Sequence, residues 1–114
     1  MTAAAIVLAL AAVGGLTMAV LRFQGAPRPP RWLALGHGAI AATGIILLIY
    51  AAATAGIPGM AQVALGIFVL AALGGTVLFV GFDLSGKALP IPFVVAHGLL
   101  AVTGLTLVLV SIFR

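Results

Sequence analysis

The sequence predicts an all-α integral membrane protein, a four-transmembrane-helix up-down bundle built from a tandem duplication of a two-helix hairpin. Three observations carry that expectation: the composition, four apolar runs of spanning length, and rare residues that recur at an offset of sixty positions. Hydrophobic residues fill 65% of the 114 positions and charged residues 5%, with a mean hydropathy of +1.44. So little polar surface cannot cover a water-soluble globule. Cysteine is absent, which excludes disulfides, thiolate metal sites, iron–sulfur clusters and cysteine nucleophiles.

A helix needs roughly 20 apolar residues, at about 1.5 Å each, to cross a hydrocarbon core of about 30 Å, and it satisfies its own backbone in lipid. Four stretches qualify: about Thr2 to Leu21, Leu33 to Ala53, Ala61 to Phe82, and Phe93 to Phe113. The connections between them read RFQGAPRPPRW, TAGIPGM and DLSGKALPIP. Their prolines lack the amide proton a helix interior requires, so each connection is a break.

The first and third connections share one membrane face and hold Arg22, Arg28, Arg31 and Lys87, against Arg114 alone on the other. The positive-inside rule therefore puts these two loops in the cytoplasm and both termini outside, with a bacterial inner (plasma) membrane as the expected location. The opening MTAAA has no basic stretch, so the first span reads as a retained helix rather than a cleaved signal peptide. Trp32, at the loop-side end of the second span, sits where an interfacial aromatic belongs.

Within this single domain of residues 1–114, positions 1–54 lie over 61–114 without a gap. Common residues such as alanine and leucine match cheaply at this composition. The pairs Gly14/Gly74, Gly15/Gly75, Pro30/Pro90, His37/His97, Thr43/Thr103 and Gly44/Gly104 are harder to obtain by chance. The only two histidines stand in the same small-residue phrase, GHGAIAATG at 36–44 and AHGLLAVTG at 96–104. Two copies of a hairpin enter the membrane in the same direction, related by an approximate two-fold axis along its normal. Both histidines then sit at one depth, about five residues into their helices, or roughly 6 to 8 Å below the loop-side boundary.

At about 100° per residue, Ala41 and Gly44 share a stripe with His37, and Ala101 and Gly104 share one with His97. Ala11 and Gly15, like Ala71 and Gly75, have the i, i+4 spacing of small residues that lets membrane helices approach closely. Such stripes alone are ordinary helix packing. Histidines at membrane depth are costly, and a facing pair points to a site.

The residue types available narrow its chemistry. Two histidines are too few for a tetrahedral zinc site, and no carboxylate lies within the spans to complete one. A haem needs only two axial ligands, since the porphyrin supplies four nitrogens, and its disc fits beside glycine and alanine in a four-helix core. The expectation is one haem b, with iron held by His37 and His97 and its propionates turned toward Arg22, Arg28, Arg31 or Lys87. Arg31 stands with the histidines and their alanine and glycine stripes in the expected cofactor set. The outer imidazole nitrogens would bond a backbone carbonyl or a threonine hydroxyl.

In layout this resembles the membrane b-type cytochromes, whose bundle helices carry haem-ligating histidines. With both axial positions filled by protein no site would be left for oxygen, so electron transfer is expected, with a quinone or a redox protein as partner. Two other classes compete. One is a non-catalytic accessory or assembly subunit of a larger membrane complex, or a homo-oligomer, with the histidines as interhelical glue. The other is a small transporter. The helix count is similar to that of small multidrug-resistance transporters, but those depend on a glutamate in the first helix, which here has no charge before Arg22. No catalytic triad, paired carboxylate or phosphate-binding glycine loop appears, so the chain is not expected to be an enzyme by itself. The net charge of +4 lies at loops and a terminus, which speaks for topology and lipid contact and against nucleic acid.

Overall fold

The structure, a computed structural model, describes all residues from Met1 to Arg114. Helix α1 spans Thr2–Phe23, α2 Arg31–Thr54, α3 Gly59–Thr76 and α4 Ile91–Phe113; α3 continues through a π-helical segment, Val77–Asp83. All four are long and apolar enough to cross a membrane, and each helix boundary falls within about two residues of the span expected from hydropathy. The last three helices start where proline stops the preceding chain from being helical. Pro30, Pro58 and Pro90 occupy their N-cap positions. The second connection leaves α2 through Gly56, whose φ of +74° is the left-handed conformation that glycine adopts without a side-chain clash.

The hairpins α1–α2 and α3–α4 each pack along their length, α1 also lies against α4 and α2 against α3, and α2 and α4 stand at opposite corners. The bundle measures 42 × 20 × 18 Å, which exceeds the thickness of a hydrocarbon core of about 30 Å. Only 15 of the 114 residues are buried, although most are apolar. Side chains such as Leu16, Ile46, Leu73 and Leu99 face outward. An exterior this apolar is consistent with lipid, not water, as its surroundings.

The buried core lies at the end that carries the termini and the second connection. It contains Ala4, Leu8 and Leu48 together with Ala64, Phe68 and Val108, the residues sixty positions further on. Equivalent positions of the two halves therefore meet in one core. Toward the other end the packing opens into a cavity.

The π-helical segment is the departure from expectation. Its i→i+5 bonds, such as Leu84 N–H to Phe79 O at 2.8 Å, wind more residues into each turn than an α-helix holds. The residues beyond it come round to a different face, and hydropathy cannot register a change that leaves the segment apolar.

Candidate functional site

Small residues build the site before the histidines do. Gly15 on α1 and Gly75 on α3 leave room for an imidazole to lie directly on the helix backbone. A Cβ at Gly15 would come within 2.9 Å of His37 Cε1, and one at Gly75 within 3.0 Å of His97 Cε1. Because the rings approach so closely, His37 Nδ1 reaches the carbonyl of Ala11 at 2.7 Å and His97 Nδ1 that of Ala71 at 2.8 Å. A carbonyl oxygen carries two lone pairs and only accepts, so in both rings Nδ1 is the protonated nitrogen. Each neutral ring then has its lone pair on Nε2, which no protein group bonds.

Thus the partner of each histidine is a backbone carbonyl. The threonine alternative fails because Thr43 and Thr103 turn their hydroxyls back to the carbonyls of Ala39 and Leu99 in their own helices, both at 2.8 Å.

The two imidazoles face one another with ring centroids 6.2 Å apart and planes crossed at 82°. They border a cavity of about 470 Å³ between the helices, walled mainly by apolar and small side chains. This volume lies in the range of small-molecule and cofactor sites, about 300 to 1,000 Å³. Ala41 and Ala101 line it beside the histidines. Gly44 and Gly104 do not. They lie one turn deeper and receive Leu8 and Phe68, whose side chains would stand 2.7 and 3.0 Å from an added Cβ.

At the loop end the cavity is bordered by Arg22 and Asp83. Arg22 donates from Nε to Leu89 O at 2.8 Å, and Leu89 N–H donates to Pro27 O at 3.0 Å, so the first and third connections are tied together. Arg31 lies outside the cavity wall, with its guanidinium 3.8 Å from Asp83 Oδ1 and 5.7 Å from the centre of the Phe79 ring. Arg28 donates to the Asp83 carbonyl at 3.5 Å. Lys87 is also absent from the lining. Three arginines against one carboxylate leave this end positive.

Asp83 is a site residue that hydropathy assigned to a loop. The chain's one acidic residue is 3% exposed, and its Oδ2 has no hydrogen-bond partner. The π-helical winding turns it inward, whereas Phe23, its counterpart sixty positions earlier, is 55% exposed. An unsatisfied buried polar atom costs about 1 to 3 kcal/mol. Asp83→Leu is therefore expected to leave the denaturation midpoint of the purified bundle unchanged or to raise it. A clear fall in that midpoint would show that the carboxylate is held by more than its long contact to Arg31.

No three His, Cys, Asp or Glu side chains come together as a metal site anywhere in the chain. The site thus offers two imidazole nitrogens beside a cavity lined mainly by apolar and small residues. Comparison with protein-family models, with curated proteins and with solved structures found no match.

Proposed function

We propose that the chain is a small membrane electron-transfer protein that holds one haem b between His37 and His97, in a bundle that arose by duplication of a hairpin. The observation that carries this reading is the distance between the imidazoles. Two axial bonds of about 2 Å, with roughly 1 Å from each nitrogen to its ring centre, give roughly 6 Å between ring centres, against 6.2 Å here. Three further features support it. Both Nδ1 atoms are engaged by carbonyls, the usual outer support of a ligating histidine, and both Nε2 atoms are free. The space beside the rings is walled by Ala, Gly and apolar residues. Its positive end suits carboxylate substituents, with Arg22 on the wall.

A bound haem would supply one-electron chemistry, and His37 and His97 would be the residues that hold it. The protein's part is to fix the ring planes, exclude water from the iron's surroundings and balance charge at the mouth. A membrane quinone or a neighbouring redox protein is the proposed partner. Hemin titration of the purified protein tests the reading. Saturation at one equivalent with a sharp α band on reduction supports it, and failure to take up hemin overturns it.

A second reading has its own observation. Each imidazole already bonds a carbonyl on a neighbouring helix, which is what interhelical glue in an accessory subunit would do. That role needs no cavity between the rings and no spacing of 6.2 Å, and so explains less.

The lipid-facing exterior and the placement of positive charge support a bundle inserted in a bacterial inner membrane with the arginine-bearing loops in the cytoplasm. A reporter fused after Arg28 or at Lys87 is expected to behave as cytoplasmic and one at the C-terminus as external. The reverse pattern would invert the topology and leave the site unchanged.

A further inference from the structure

The ligating pair has near two-fold symmetry, and the walls around it do not. His37 on Ala11 and Gly15 is matched by His97 on Ala71 and Gly75, with corresponding distances that agree within 0.2 Å. A planar ligand held by both rings meets the same chemistry on either face. The two side walls, from α1 and α3, differ at positions sixty apart. At the deep end Leu8 stands opposite Phe68, and nearer the mouth Ala19 stands opposite Phe79; all four line the cavity.

Phe68 is not free to yield. It is 5% exposed and its ring lies in the space opened by Gly104, with Cζ 3.0 Å from where a Cβ would be. The deep end is thus bounded by a fixed flat ring on one side and a branched aliphatic side chain on the other. In a close-packed interior that difference in shape is felt by whatever lies between them.

We propose that the unequal pair Leu8 and Phe68, reinforced by Ala19 and Phe79, selects one of the two orientations in which an asymmetrically substituted porphyrin can be held by His37 and His97. The proposal rests on the haem reading given above. Haem b carries methyl and vinyl groups in alternation along the edge away from its propionates. With the propionates at the mouth beside Arg22, that edge points toward Leu8 and Phe68. Turning the disc over exchanges a methyl with a vinyl at each position along it. The histidines and their carbonyls cannot distinguish the two forms, so the choice falls to the walls. Phe68 and Phe79 both belong to the second half of the chain, so they bias the same side.

Proton NMR of the oxidised protein reconstituted with hemin reads the orientations separately, because each gives its own set of shifted haem methyl resonances. In the wild type one set should exceed the other by about fivefold or more. The exchange variant Leu8→Phe/Phe68→Leu keeps the total core volume and should reverse the excess. Phe68→Leu with Phe79→Ala should bring the two sets close to equal. A haem with methyl groups in place of both vinyls should show one set in every variant, as expected if the doubling arises from orientation. Equal sets in the wild type, or an excess that the exchange leaves in place, would overturn the selection while the haem reading stands. Protein that gives no low-spin spectrum at all would overturn both.

Discussion

Alanine at either His37 or His97 is expected to abolish the low-spin b-type spectrum of the haem-loaded protein, not merely to weaken it. The reason is the donor set. His37 and His97 are the only histidines in the chain, and the other donors on the cavity wall are the Met18 thioether and, at the mouth, the Asp83 carboxylate, so no other imidazole stands ready to replace a lost one. A single remaining axial nitrogen leaves iron in a weaker axial field, which broadens and shifts the visible bands. The same substitution measures the competing role. If the histidines only join helices, each replacement should lower bundle stability by about 0.6 to 2 kcal/mol, the loss of one interhelical hydrogen bond, with no spectrum to change. Visible spectra and a denaturation curve on the same samples separate the two.

Leucine at Gly15 or Gly75 is expected to do nearly as much damage while both histidines remain. An added Cβ would lie 2.9 Å from His37 Cε1 or 3.0 Å from His97 Cε1, and the larger side chain extends further into the ring's place. The imidazole must swing off, giving up the carbonyl of Ala11 or Ala71 that fixes its tautomer and direction. Loss of such outer support commonly lowers metal affinity by about 10- to 100-fold, and here the ring is displaced as well, so the upper part of that range or beyond is expected in a hemin titration. Gly36 and Gly98 supply the controls, since nothing lies within 4 Å of a Cβ at either position. Alanine there should leave haem affinity unchanged. Equal loss at all four glycines would point to general helix disruption instead.

These two sets of variants also mark what could be read from sequence. The helices were legible because hydropathy reports length directly and because Pro30, Pro58 and Pro90 punctuate it. The histidine pair was legible through its repetition in rare surroundings. The purpose of the Gly14-Gly15 and Gly74-Gly75 pairs was only partly so: spacing showed close helix approach, but not that the second glycine of each pair lies under an imidazole. Their recurrence at the same offset as the histidines was the available signal. Gly44 and Gly104 share the helical stripe of the histidines, yet they are covered by Leu8 and Phe68, whose side chains themselves line the deep end of the cavity. Arg31 and Arg22 look alike as loop-side cations, and only the fold shows that Arg22 borders the cavity while Arg31 turns to Asp83 and Phe79. Asp83 itself was read as a loop residue because the π-helical winding that buries it has no proline or change of hydropathy to announce it. Being the one acid in the chain was its only mark.

The crossing of the two rings offers the most direct test of the proposed haem site. When axial imidazoles are parallel, both act on the same iron d orbital and split the pair strongly. When they are crossed, each acts on a different one and the pair stays nearly degenerate. With ring planes at 82°, the oxidised, hemin-loaded protein should give a highly anisotropic low-spin electron paramagnetic resonance signal, dominated by one feature at large g. A three-line rhombic low-spin signal, a high-spin signal, or protein that binds no hemin would contradict a single haem held between His37 and His97 in this geometry.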